Sequence, residues 1–119
     1  MSTQEVANRL VELCKQGKFE EAQNELFAQD AESIEPDEMP GFPQKVKGLD
    51  AIKKKGKDFQ GMLEDVHGIT ATEPIIMGNS IAFGLSMDVT MKGRGRENMN
   101  EICVYEVKDG KITKEQFFW

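Results

Sequence analysis

The sequence is short of the residues on which much protein chemistry depends. Its 119 residues hold one histidine, two cysteines, one tyrosine, one tryptophan and four prolines. A single histidine excludes HxH and HExxH pairs, and neither cysteine stands in a CxxC or other ligand spacing, so no metal and no cofactor are expected. Cys14 falls in a helical pattern and Cys103 in a strand pattern; both read as reduced thiols of a cytoplasmic protein. No apolar run approaches a membrane span, and Met1 to Glu5 lacks the basic and apolar stretches of a secretory signal, so neither membrane nor export is expected. Cations are scarce too. Fifteen Lys and Arg face 21 Asp and Glu, a net charge of −6 at pH 7, which argues against nucleic acid, whose phosphates call for clustered Lys and Arg. Gly93-Arg94-Gly95 lies in a turn between strands and not between a strand and a helix, the wrong context for a phosphate loop.

What remains is globular: 39% apolar and 30% charged residues, in a length that suits one domain over residues 1–119. Ser2 and Glu5 have the spacing of a capping box, and Val6, Leu10, Leu13 and Cys14 repeat at helical spacing up to Gly17. Phe19, Ala22, Leu26 and Phe27 repeat it at once, predicting a helical hairpin. The pattern fails from Ala31 to Lys47, where Pro36, Pro40, Gly41 and Pro43 predict a short strand, Glu32 to Glu35, entering a long loop. Gly48, with Asp50 as N-cap, opens a third helix striped by Ile52, Phe59, Met62 and Leu63 and ending near Asp65. The lysines at 53, 54, 55 and 57 on this helix read as a solvated face.

Four consecutive antiparallel strands complete the chain, divided by turns at Gly78-Asn79, Lys92 to Arg96 and Asp109-Gly110. The segment Ser80 to Met91 would extend about 40 Å at ~3.3 Å per residue, so a bend is expected, with Gly84 as a candidate bulge. Alternation puts Ile81, Phe83, Leu85, Met87, Val89 and Met91 on one face and Asp88 on the other. Phe117 and Trp119 oppose Phe118 in the same way. Three short helices cannot cover both faces of such a sheet, so the uncovered face predicts a partner, most simply a second copy in a homodimer. A docking surface for a different protein is the other option.

Two helices, a short strand, a loop opening into a third helix and then long strands is an order that resembles the nuclear transport factor 2-like superfamily. Ala28-Gln29-Asp30-Ala31-Glu32-Ser33-Ile34-Glu35-Pro36 is similar to the stretch that carries the catalytic acid of ketosteroid isomerases, with Glu35 where that family has Asp. The helix opening from Gly48 to Ile52, and Asp109-Gly110-Lys111-Ile112 through Phe117-Phe118-Trp119, resemble the same superfamily and its SnoaL-like polyketide cyclase branch. The resemblance implies an α+β cone, three N-terminal helices packed on a strongly curved, mainly antiparallel sheet. It also implies a pocket for a small apolar or carbonyl-bearing molecule, lined by Phe59, Leu63, Phe83, Leu85, Met87, Cys103, Tyr105, Phe117 and Trp119. Each of these could equally be plain core.

Isomerase chemistry needs a carboxylate base and donors that hold the enolate oxygen. Glu35 supplies the base. The donor positions that the resemblance implies fall on Leu10, Gly56 and Cys103. Loss of a single such donor costs on the order of a hundredfold in rate, so steroid isomerase activity is not expected. Cyclase-type chemistry asks for less, a carboxylic acid that moves a proton on an activated carbonyl compound. Glu115 shares a strand face with Phe117 and Trp119, and either joins Glu35 in the pocket or is solvated beside Lys111 and Lys114. His67, the only histidine, is either a general base at the start of the first long strand or a strand-end residue with a satisfied hydrogen bond. Enzyme or non-catalytic binding or dimerisation module, with the pocket filled by Met and Phe side chains, is left open by these residues.

Overall fold

The computed structural model describes residues 1–37 and 43–119. Helix α1 (Thr3–Lys15) begins at the expected capping box, in which the Glu5 amide donates to Ser2 Oγ at 3.1 Å and the Ser2 amide donates to Glu5 Oε1 at 2.9 Å. The chain reverses at Gly17, whose φ of 73° suits glycine, and α2 (Phe19–Leu26) returns beside α1. Arg9 clamps the two helices through both oxygens of Glu25, at 2.6 and 3.0 Å. Strand β1 (Phe27–Ile34) follows without a break and starts five residues earlier than the sequence pattern suggests. Part of the expected loop is also ordered: β2 (Lys45–Lys47) pairs antiparallel with Glu32 to Ile34. Pro40 and Gly41 lie outside the described residues.

Helix α3 (Leu49–Gly61) is capped by Gly48 and not by Asp50, which stands in its first turn as an acid favoured by the helix dipole. It ends four residues before Asp65, because Leu63 already pairs with Met91 as the first residue of β3 (Leu63–Ala71). Pro74, which cannot donate to a ladder, lies in the gap that separates β3 from β4 (Ile75–Met77), so the expected four strands are five. Strands β5 (Ser80–Met91), β6 (Gly95–Lys108) and β7 (Lys111–Phe118) complete the sheet.

Gly84 is not a bulge. β5 and β6 pair in unbroken register from Ser80–Glu106 to Met91–Gly95. Gly84 instead faces the gap between β3 and β4, where its amide donates to Thr72 Oγ1 at 2.8 Å and a Cβ would lie 3.2 Å from Thr72 Cγ2. The register shifts lie elsewhere, on β3 between Leu63 and Asp65 and between Val66 and Gly68, between β6 and β7 at Glu106 and Val107, and between β1 and β7 from Phe27 to Glu32.

The strand order is β2-β1-β7-β6-β5-β3, with β4 paired to β5, and every pairing is antiparallel except β1 with β7. The three helices pack on one face of this curved sheet. The alternation on β5 holds without exception: Ile81, Phe83, Leu85, Met87, Val89 and Met91 are buried and the residues between them are not. Among the described residues no helix is long and apolar enough to cross a membrane.

Candidate functional site

Sheet register brings the candidate side chains together. Ser33 on β1 pairs with Glu115 on β7, and Glu115 pairs with Tyr105 on β6. Cross-strand partners share a face, and all three residues are buried on the helix-covered side. One step along that face, Phe117 pairs with Cys103, and Glu35, two residues after Ser33, lies alongside. Glu101, two residues before Cys103, is one step further on, opposite Leu85.

Helix α3 crosses this floor. Ile52, Lys55, Gly56 and Phe59 follow helical spacing, so Lys55 belongs to the inward stripe rather than to the solvated face expected for the lysine run. Its Nζ donates to Glu35 Oε1 at 2.8 Å and to Ser33 Oγ at 2.5 Å, and lies 5.6 Å from the centroid of the Phe117 ring. With side-chain exposures of 12% for Lys55 and 16% for Glu35, this ion pair is largely withdrawn from water. Lys54 and Lys57, by contrast, are exposed.

Between helices and sheet lies a cavity of about 850 Å³. Phe27, Phe59, Met62, Met87, Tyr105 and Phe117 line its apolar part, and Glu35, Glu101, Glu115 and Lys55 its polar part. The exposed side chains of Lys18, Gln60, Asn98 and Trp119 also reach it, so it opens to solvent at one rim.

Burial sets the electrostatics. Loss of solvent pushes the Glu115 carboxyl up to about 7, with Glu35 and Glu101 adding to the rise against the opposing Ser33 hydrogen bond and the Lys55 charge. Glu101 is likewise pushed up to about 7, chiefly by burial, with the Cys103 thiol contact pulling the other way. The same burial holds the Tyr105 phenol well above its usual range and pushes the Cys14 thiol up to about 12, so both stay protonated near neutrality. The two cysteines are free and buried.

Of the residues singled out in the sequence, Glu35, Glu115, Phe59, Leu85, Met87, Tyr105, Phe117 and Trp119 line the cavity. Four do not. Phe83 is core, its ring stacked on Tyr105 at 5.7 Å. Cys103 is fully buried beneath the floor, its Sγ 3.6 Å from Glu101 Oε1. Leu63 is half-buried at the start of β3. His67 is exposed on β3 with Nε2 2.7 Å from Thr90 Oγ1, so it has the satisfied hydrogen bond of a strand residue and does not join the carboxylates. Lys55 and Glu101 were missed. The helical spacing from Ile52 to Phe59 pointed to the first, and the alternation Glu101, Cys103, Tyr105, Val107 pointed to the second. Among the described residues no group of His, Cys, Asp or Glu side chains is placed to hold a metal ion.

Comparison with known proteins agrees with this architecture. The sequence model of the SnoaL-like domain matches residues 1–119. The crystal structure of a candidate SnoaL-like polyketide cyclase from Mesorhizobium loti superposes with a TM-score of 0.91 at 35% identity, over 100% of both chains. An NTF2-like protein of unknown function from Burkholderia pseudomallei gives 0.82 at 16% identity, over 100% of this chain and 92% of the other. A protein with a ketosteroid isomerase-like fold from Catenulispora acidiphila, solved with trimethylamine, gives 0.75 at 16% identity, over 99% and 87%. At such identities the last two speak to the fold alone. No curated protein matches the chain.

Proposed function

The chain belongs to the SnoaL-like domain family, and from that premise we propose that residues 1–119 form one domain that binds a small, largely apolar, carbonyl-bearing molecule in the cavity and moves a proton on it. The observation that carries this reading is Glu115: a carboxyl only 5% exposed, facing an open apolar cavity and pushed up to about 7 by burial. A general acid or base works best when its pKa lies near the operating pH. Glu115 exchanges the proton at the carbon next to the carbonyl. Glu35, occupied by Lys55, fixes the ammonium, and that ammonium forms the polar pole toward which the carbonyl oxygen turns as it gains negative charge. Phe59, Leu85, Met87, Phe117 and Trp119 supply the apolar walls. The volume left open is the reason to prefer this over a module whose pocket is plugged by its own Met and Phe side chains.

Hydrogen–deuterium exchange at the α-carbon of 2-tetralone, a compact aromatic ketone, tests the reading. Exchange should exceed the buffer rate, rise through a pKa near Glu115's, and fall on the order of a hundredfold in Glu115→Gln. Exchange no faster than buffer, with the ketone bound, would leave a binding protein without the chemistry.

The same reading includes a second copy on the outer sheet face. Ile102 and Phe118 are cross-strand partners there, 55% and 47% exposed, a contiguous apolar pair of the kind a two-fold contact covers. Sedimentation should give a dimer mass for the protein and a monomer mass for the Ile102→Lys, Phe118→Lys variant; a monomeric parent would leave the face to another protein. The two free thiols suit a reducing compartment, the cytoplasm.

A further inference from the structure

The charges in the cavity do not balance. Glu35, Glu101 and Glu115 line the cavity with Lys55, which Glu35 holds at 2.8 Å; of the other cations that line it, Lys18, Lys57 and Arg94 are exposed at the rim and Lys53 is half-buried. Among the described residues neither Glu101 nor Glu115 forms an ion pair. Glu115 is deep in the floor and accepts a hydrogen bond from Ser33. Glu101 is different: its contact is the Cys103 thiol at 3.6 Å, a weak donor at long range. It lies two steps along the face from Glu115, toward the rim where Trp119 is 59% exposed.

A half-buried carboxylate without a cationic partner, set among aromatic rings and thioethers in an open cavity, is a receptor for an organic cation. The carboxylate offers the charge, and ring faces and sulfur accept the alkyl shell of an ammonium at little desolvation cost. Tyr105, 4% exposed, lines the same cavity and adds an aromatic ring to its wall.

We infer that the ligand of this cavity carries a positive charge, as an apolar amine or quaternary ammonium whose head sits at Glu101 beside Phe117 and Trp119 while its body fills the space toward Tyr105. This rests on the reading that the cavity takes a ligand. It adds a specificity residue, Glu101, separate from the proton-moving Glu115. The other titratable groups around Glu101 are Lys55 from α3, Glu35 after β1, Cys14 from α1, Cys103 and Tyr105 on its own strand, and Glu115 from β7; Arg94 and Glu97 at the rim hold each other at 3.4 Å. Bound cation and ionised Glu101 favour one another, so binding strengthens as pH rises through about 7.

The test uses three probes of one shape and different charge: 1-adamantanamine, 1-adamantanol and 1-adamantanecarboxylate. Each is titrated into the protein of residues 1–119 and followed by the fluorescence of Trp119, its only tryptophan. At about pH 8 the amine should bind about tenfold or more tightly than the alcohol, and the preference should collapse near pH 5 and in Glu101→Gln. The pH arm needs no variant, so a poorly folding substitution does not void the test. Equal binding of alcohol and amine, or tighter binding of the carboxylate, overturns the charge inference and leaves the cavity reading standing. A preference that survives Glu101→Gln at unchanged strength removes the assignment to Glu101. Failure of all three to bind removes the cavity reading as well.

Discussion

The two faces of the sheet use the same strands and opposite electrostatics. On the outer face Asp88 is held by Arg96 through both oxygens, at 3.0 and 2.9 Å, and the pairing keeps its carboxyl below the usual range. Ser86 and Asn100 bond to each other beside that pair. On the inner face Glu115 and Glu101 have no arginine, are withdrawn from water, and are pushed up to about 7. A single step along a strand separates the two regimes. The lesson is that the behaviour of a carboxylate here follows from the side of the pleat it occupies, and that the inner face is the one where acids could transfer protons at neutral pH.

Moving an acid across the pleat is the most drastic way to break this contrast. Val89 is fully buried on the inner face and Thr90 is its outward neighbour. Val89→Asp should cost about 4 kcal/mol or unfold the chain, because the carboxyl would be buried among apolar side chains without a donor, whereas Thr90→Asp should stay within about 0.5 kcal/mol. Urea denaturation of the two variants gives the comparison.

The next effect is pH dependence. A carboxyl whose folded pKa is raised binds a proton that the unfolded chain has released, so stability is full below the unfolded value of about 4.5 and declines as pH rises toward the folded value of about 7. Glu115 alone should account for about 3 kcal/mol of that decline, levelling off above about pH 7. Glu115→Gln should flatten the curve and be more stable than the parent at about pH 8. A parent that is equally stable from about pH 5 to 8 would contradict the burial of these acids.

A smaller change sharpens the contrast from within the inner face. Lys55→Met removes the charge that restrains both acids and leaves Glu35 unpaired, which should cost about 2 kcal/mol and move the Glu115 titration, followed by carbon NMR of the carboxyl, further upward. The smallest effect belongs outside: Arg96→Ala breaks a surface pair and should leave the urea midpoint unmoved within error, although the Asp88 carboxyl will titrate higher.

Much of this was legible in the residues, where local physics decides. The capping box at Ser2 and Glu5, the turns at Gly78-Asn79 and Asp109-Gly110, and the inward set from Ile81 to Met91 follow from hydrogen-bonding chemistry, backbone freedom and strict alternation. The pairing of β2 with β1, the division of β3 from β4 and the place of Gly84 opposite Thr72 depend on contacts between distant segments. The site divides the same way. Glu35 and Glu115 were reachable from resemblance and alternation, but Lys55 was hidden by averaging over a run of lysines in which three are decoys for the one that turns inward. Glu101 went unnoticed because a charged residue in a buried alternation reads as an exception until the cavity is seen.

Gly56 has a consequence of another kind. It lines the cavity from α3, and a methyl group built on it would only brush Gln23 of α2, at 3.8 Å. The acids stand on strands locked by backbone ladders, whereas the opposite wall is two helices meeting through side chains. The helical wall can therefore change shape one residue at a time without disturbing the strand pairing that positions Glu101 and Glu115.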